Sequence, residues 1–269
     1  MKNVIFLIAT ASKHEYLHKK HGGFKYFKYS IPSWEYWCKK NNVELVIYDT
    51  PSDEHIKHKP TWQRGFDVFN QLDKTNIEYD KIALIDACTI IRWDTPNFFD
   101  FVDNGEVNLF RSLENIRWVH EGVSGYSDFF KKHYPNFNFN LKEYSSCGWQ
   151  IFDKSHKLFL EKVRDFYYDN YDDIMVLQNE KVGRGTDQPV YNYLLQAENV
   201  NVVHKLPPSY YLNHLHRFDW LSYNWQLKQD ETPFFIKNGY IWFYSGFPQR
   251  GGREDMMKQT WDIIKERYV

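Results

Sequence analysis

In the stretch YDKIALIDACTIIRWDTPNFFD, Tyr79 to Asp100, a short apolar run ends on a carboxylate, Asp86, and two residues later stands a thiol, Cys88. Carboxylates spaced by two can point the same way and share a cation. A thiol in the second place is a soft ligand, poorly suited to Mg²⁺ or Mn²⁺, which prefer oxygen. Cys88 is therefore expected to be a small buried residue, and Asp86 to face water or a ligand from the end of its strand. Asp94 and Asp100 read as turn and surface acids. His214 and His216 alternate with apolar residues in YYLNHLHRF and predict a half-buried, half-exposed pair without an assigned role. The sequence holds no Ser-His-Asp set, phosphate-cradling glycine loop or zinc-ligand spacing.

The elements that must position Asp86 alternate. Val4 to Ala9 predicts a buried strand, followed by a basic loop, Lys13 to Tyr29. Ser33 to Lys40 predicts a helix entered through Pro32, with Trp34, Trp37 and Cys38 on one face. Glu44 to Tyr48 predicts a second strand. Trp62, Phe66, Phe69 and Leu72 recur at helical spacing, before the strand Ile82 to Ile85. Val107 to Phe110 predicts a further strand. Leu113 to Leu141 shows no steady period and reads as a long irregular insertion, a candidate lid or acceptor wall. Then come a short strand, Trp149 to Phe152, a helix, Ser155 to Tyr168, and a helix start, Asp187 to Leu195, capped by Thr186. Val202 to His204 and Tyr240 to Tyr244 predict late strands, and Asp255 to Tyr268 a closing helix. This alternation predicts an α/β fold with a mixed, mostly parallel sheet flanked by helices. Such sheets bind ligands beyond the carboxyl ends of their strands.

With 269 residues, 42% of them apolar, the chain can bury one full core, so a single domain over 1–269 is expected. Its three cysteines, Cys38, Cys88 and Cys147, are odd in number and lack metal-ligand spacing, which favours a reducing compartment. The apolar run Val4 to Thr10 is too short for a signal-peptide core, and no segment reaches bilayer-crossing length, so a cytoplasmic location is expected. The net charge of −1 neither demands nor excludes an anionic partner. Residues 1–60, however, carry ten lysines against six acids. The excess concentrates in KHEYLHKKHGGFKYFKY, a solvated loop or an anion-binding element. Aromatic residues make up 19% of the chain, which suits stacking on sugars or bases as well as core packing.

Four stretches in order resemble nucleotide-sugar glycosyltransferases of the GT-A fold, most closely the retaining, glycogenin-like family eight. YDKIALIDACTIIRWDTPNFFD resembles that family's strand and DxD segment, and SSCGWQIFDK, Ser145 to Lys154, its N-[SA]-G-[VL] strand. GTDQPVYNYLL, Gly185 to Leu195, resembles its D-Q helix start. IWFYSGFPQRGGR, Ile241 to Arg253, resembles the C-terminal segment that closes over the donor diphosphate. The resemblance covers most of the chain. It implies a nucleotide-binding half, 1–112, and an acceptor and sugar half, 113–269. It implies transfer of a sugar from a nucleotide diphosphate, usually uridine diphosphate, to a hydroxyl, with retention at the anomeric carbon. It places the donor against Ala9, Thr10, Asp86, Ala87, Cys88, Cys147, Gly148 and Gly246. Asp187 would lie at the sugar's reacting face, Gln188 at its hydroxyls, and Asp86 at the ribose or a residual ion.

The departures from that pattern concern the metal. Three side chains of the family hold a divalent ion: the two acids and a histidine. Here only Asp86 matches; Cys88 replaces the second acid and Phe243 the histidine, while Ser146 takes the place of the strand's asparagine. Charge still builds on the departing diphosphate and needs a cation. An arginine about 4 Å from a phosphate charge is worth about 4 kcal/mol at an effective dielectric of 20, on the order of a thousandfold in rate. Arg250 and Arg253, where the family keeps a lysine, are expected to do this work, with Arg64 near the nucleotide. A transferase without protein-held metal is thus the expectation. The alternatives are Mn²⁺ or Mg²⁺ with water in the vacant ligand places, and a non-catalytic sugar-nucleotide or glycan-binding module. The acceptor class stays open among a glycan, a protein hydroxyl and a hydroxylated DNA base. The basic loop and the aromatics are what a nucleic acid would need.

Overall fold

The computed structural model describes residues 2–11, 22–50, 60–112, 116–183, 185–210, 228–229, 232–245 and 252–269. The apolar run Asn3–Ile8, buried throughout, forms β1 and pairs in parallel with β2, Glu44–Tyr48. With β3 (Lys81–Asp86), β5 (Val107–Arg111), β6 (Ser145–Asp153) and β7 (Val202–Val203) they make a six-stranded sheet in the order β2-β1-β3-β6-β5-β7. It is mixed and mostly parallel: β5 runs parallel to β7 and antiparallel to β6. A separate antiparallel pair joins β4 (Thr89–Ile91) to β10 (Ile241–Phe243), and β8 (Lys228–Gln229) pairs with β9 (Thr232–Pro233).

The chain divides into two compact units. One comprises Met1–Pro51, Leu84–Phe101 and Leu206–Val269. Its core is built on α1, Phe27–Asn41, whose Trp34 and Trp37 are fully buried; Trp37 stacks on Phe98 with centroids 4.6 Å apart. The expected helix began at Ser33, but α1 starts at Phe27 and carries Pro32 inside it. Burial of Tyr29 and Ser30 on the same face as Ser33, Trp34 and Trp37 extends the helix past a residue that cannot donate a backbone bond. α7 (Phe234–Asn238) and α8 (Gly252–Ile264) complete this unit; the closing helix begins earlier than expected and ends in a 3₁₀ turn, Lys265–Arg267.

The second unit comprises Ser52–Ala83 and Val102–Lys205. Its helices α2 (Pro60–Thr75) and α4 (Lys157–Asp169) meet where Trp62 stacks on Tyr167 at 4.2 Å. The segment expected to be irregular, Leu113 to Leu141, contains instead an 18-residue helix, α3, Ile116–His133. Val119, Gly122, Val123, Tyr126, Phe129 and Phe130 form its buried stripe at helical spacing. Two glycines of low helix propensity disguise that stripe in the sequence. Gly125 has a packing reason: a Cβ there would lie 2.4 Å from Val182. α5 (Tyr171–Val176) leads into a wide π-type turn, Leu177–Lys181, and α6 (Gln188–Ala197) packs on α3 through Phe130 and Tyr193, stacked at 3.9 Å. β6 is longer than the expected Trp149 to Phe152 because pairing with β5 carries it back to Ser145.

Trp149 and Trp242 are also fully buried, so these indoles belong to the core and not to a stacking surface. Cys38, Cys88 and Cys147 are buried and form no disulfide. Among the described residues, no helix is long and apolar enough to cross a membrane.

Candidate functional site

In the first unit, the turn after β3 is held from several sides. Trp34 of α1 donates its indole N–H to Thr89 Oγ1 at 3.0 Å, and Thr89 donates to the Asp86 carbonyl at 2.8 Å. The Tyr244 N–H donates to the Cys88 carbonyl at 2.8 Å and the Ala87 N–H to Ile8 at 3.1 Å. Cys88 is buried in this turn, while Asp86 is half-buried. Ala9 and Thr10 continue β1, and both bond the Tyr48 carbonyl: Ala9 through its N–H at 3.0 Å, Thr10 through its hydroxyl at 2.8 Å.

Arg253 stands in the first turn of α8. Its Nε donates to the Tyr244 carbonyl at 2.7 Å, one Nη donates to the Tyr26 hydroxyl at 2.9 Å, and the guanidinium lies 4.9 Å from the Tyr26 ring centre. Burial works against the charge, but Tyr26, Cys88 and Asp86 around it hold the Arg253 pKa above its ordinary value. Burial likewise pushes the Tyr26 phenol far up, against the opposing pull of Arg253, so Tyr26 stays neutral and can accept the guanidinium's bond. The result is a fixed cation in the neighbourhood of Asp86.

Among the described residues, the donor set at this turn does not fit a hard divalent ion. Among the described residues no three His, Cys, Asp or Glu side chains cluster to hold a metal. The turn offers one carboxylate, Asp86, beside a soft thiol, and Phe243 is buried in β10 where the family pattern expects a histidine.

In the second unit, Asp187 occupies the cap position of α6 in place of the expected Thr186, and its side chain makes no capping hydrogen bond. Pro189 follows in the first turn, where a missing N–H costs nothing. Gly185 precedes it at φ +68°, and a Cβ there would sit 2.7 Å from Pro189 Cδ. Asn192, one turn into α6, clips the helix to β6: it accepts from Ser145 N at 2.7 Å and donates to Ser145 O and Gln188 O, each at 2.9 Å. The β5–β6 register slips between Leu109 and Phe110, so Cys147, Gly148 and Trp149 fall between the register pairs, a bulge that re-aims side chains.

These features surround a pocket of about 20 Å³, room for one water-sized group. Trp62, Phe66, Cys147, Gln150, Asp187 and Tyr191 line it. The Tyr191 hydroxyl donates to Gln150 Oε1 at 2.6 Å, and Gln178, in the π-type turn, fixes Trp62 by accepting from its indole at 3.2 Å. Burial raises the Tyr126 and Tyr144 phenols, with the charge of Asp187 adding to both, so each remains a neutral hydroxyl near that carboxylate.

The structure thus groups Ala9, Thr10, Asp86, Ala87, Cys88 and Arg253 in one unit, and Cys147, Gly148, Asp187 and Gln188 in the other. Arg64 lies on α2, its side chain outside the description; Gly246, Arg250, His214, His216 and the basic loop up to His21 lie outside the described residues. Sequence reasoning missed Tyr26, Gln150, Tyr191 and Asn192. Asn192 left a trace, a polar residue among the apolar ones of YNYLL. The others carry no spacing signal.

No protein-family model and no curated protein matches the sequence. Among solved structures, the chain is similar to a glycosyltransferase involved in the glycosylation of the major capsid of PBCV-1, at 11% identity and a TM-score of 0.56, over 96% of this chain and 100% of that one. The galactosyltransferase LgtC, in complex with donor and acceptor sugar analogs, aligns at 11% identity over 99% of this chain and 95% of its own, with a TM-score of 0.48. Mouse xyloside xylosyltransferase 1 aligns at 9% identity over 92% and 100%, with a TM-score of 0.45. The first of these likenesses establishes the fold, a GT-A-type arrangement as the sequence led one to expect.

Proposed function

We propose that this chain is a glycosyltransferase that moves a sugar from a nucleotide diphosphate, uridine diphosphate in the first instance, to a hydroxyl acceptor with retention at the anomeric carbon. The observation that carries the reading is Arg253, seated by Tyr244 and Tyr26 in the neighbourhood of Asp86, at a turn whose described residues offer no donor set suited to a hard dication. The GT-A-type fold supports the same reading.

The chemistry assigns each group a task. The bond from the anomeric carbon to the diphosphate oxygen breaks, and a bond to the acceptor oxygen forms. The acceptor's proton goes to the departing phosphate oxygen. Negative charge on that phosphate is met by the Arg253 guanidinium, which cannot deprotonate and needs no reorganisation because two oxygens already hold it. Asp187 stabilises positive charge developing at the anomeric carbon, and Gln188 bonds a sugar hydroxyl. Asp86 receives the ribose hydroxyls. Three buried cysteines outside any disulfide fit a reducing, cytoplasmic setting.

The test is donor hydrolysis and transfer across a panel of nucleotide sugars, with and without Mn²⁺ and with a strong chelator. Turnover undiminished by the chelator is the expected result; chelator inhibition reversed by Mn²⁺ would overturn the role given to Arg253. Donor binding without turnover would favour the non-catalytic module. Glycan, protein and hydroxymethylated DNA acceptors are assayed in parallel, and absence of duplex binding at low salt removes the last.

A further inference from the structure

A glycine in α2 lacks the usual reasons for being one. Gly65 stands inside the 16-residue helix Pro60–Thr75, with a backbone outside the left-handed region, and a Cβ built on it meets no described atom within 4 Å. Among the described residues, neither dihedral angle nor packing therefore calls for glycine, although glycine weakens a helix interior relative to alanine. Gly125 shows the contrast, since its missing side chain is filled by Val182. The space at Gly65 opens on the pocket of about 20 Å³ already described, which Trp62 and Phe66 line together with Gln150, Asp187 and Tyr191.

Size and chemistry together select the occupant. The volume admits a small group and not a sugar ring. Trp62, Phe66 and Val163 present apolar surface suited to a methylene. Tyr191 occupies Gln150 Oε1, which leaves the amide nitrogen of Gln150 to donate, and Asp187 is a carboxylate acceptor. Gln150, Tyr191 and Asp187 are 2%, 6% and 8% exposed, so a ligand hydroxyl here replaces little bulk water. A group with one carbon and one hydroxyl meets both kinds of lining.

We propose that this pocket receives the exocyclic hydroxymethyl group of the donor sugar, that Gly65 keeps the space for it, and that the chain is selective for hexosyl over pentosyl donors. The inference rests on the donor reading above and adds the sugar class to it. Gln150 and Tyr191 become specificity-determining residues, and Gly65 the residue that sets the pocket's depth.

Two pairs of donors differ only in this group: uridine diphosphate glucose against xylose, and uridine diphosphate galactose against L-arabinopyranose. Calorimetry on the full chain should show the hexose of at least one pair bound about tenfold or more tighter than its pentose. In Gly65→Ala that ratio should collapse towards one. The unliganded variant should melt about 1–4 °C higher, because the glycine no longer weakens the helix. Gly65→Ser adds similar bulk with a hydroxyl and should narrow the ratio in the same direction. A wild type that binds all four donors without preference, a variant that keeps the full preference, or a lower melting temperature in Gly65→Ala each overturns the inference while leaving the donor reading standing. Binding of none of the four removes the donor reading and this inference with it.

Discussion

In the proposed role, Arg253 is fixed before any ligand arrives by two oxygens, the Tyr244 carbonyl and the Tyr26 hydroxyl. Replacement by alanine should lower turnover on the order of a thousandfold, the factor that about 4 kcal/mol of lost charge stabilisation implies. Arg253→Lys should recover only part of it, because an ammonium cannot reach both oxygens with the fork geometry of a guanidinium. Single-turnover rates on the variants decide this, and a rate within a few-fold of wild type in Arg253→Ala would end the assignment. Asp187 makes a different prediction. Its side chain makes no capping hydrogen bond to α6, so its carboxylate is not explained by helix capping. Asp187→Asn keeps the shape and removes the charge; turnover should fall about a hundredfold with donor affinity changed much less, as expected of a group acting mainly in the transition state. Equal losses in binding and rate would argue against that role.

Among the elements, the junction of β6 and α4 carries a testable cap. Asp153 accepts from Ser155 N at 2.8 Å and from Gly105 N at 2.5 Å, while its own N–H donates to His156 Nδ1 at 3.3 Å. The corner therefore satisfies three backbone donors and ties the segment before β5 to the end of β6. Asp153→Ala should cost about 1–2 kcal/mol in urea denaturation. Burial works to raise the Asp153 pKa, but bonds from Gly105 and Ser155 and the neighbouring His156 outweigh it, and the net direction is downward. The sign of the pH effect follows. The stabilisation is complete above the unfolded carboxylate value of about 3.9, and is lost as pH falls through the lower folded value. Asp153→Asn should flatten that part of the acid limb; an unchanged slope below pH 4 would show that the cap contributes nothing. α1 illustrates another element-level effect. Trp34, through Thr89, braces the turn that carries Asp86 and Cys88, so a core tryptophan sets the geometry of the turn after β3.

For the whole molecule, ligand linkage gives a measurement that needs no acceptor. A nucleotide sugar present at 100 times its Kd should stabilise the chain by about 2.7 kcal/mol, raising the melting temperature by several degrees. The shift should be the same with Mn²⁺ and with chelator; a shift that appears only with Mn²⁺ would return the diphosphate to a dication.

What was legible from the amino-acid order was what depends on near neighbours. Short apolar runs showed the strands Val4 to Ala9 and Ile82 to Ile85, observed as Asn3–Ile8 and Lys81–Asp86, and helical spacing showed the helix of Trp62, Phe66, Phe69 and Leu72. The Asp86-x-Cys88 spacing by itself poses the metal question. Where local signals conflict with packing they misled: Pro32 reads as a helix entrance but lies inside α1, and glycines hid the stripe of α3. Long-range contacts left no trace in the sequence. Tyr26 and Arg253 are 227 residues apart and share a hydrogen bond, as Tyr191 and Gln150 do across 41. Composition named the chemical groups and pattern named the elements. Only the tertiary structure decided which side chains share one neighbourhood, because that depends on how the elements pack and on which polar atoms packing leaves to be satisfied.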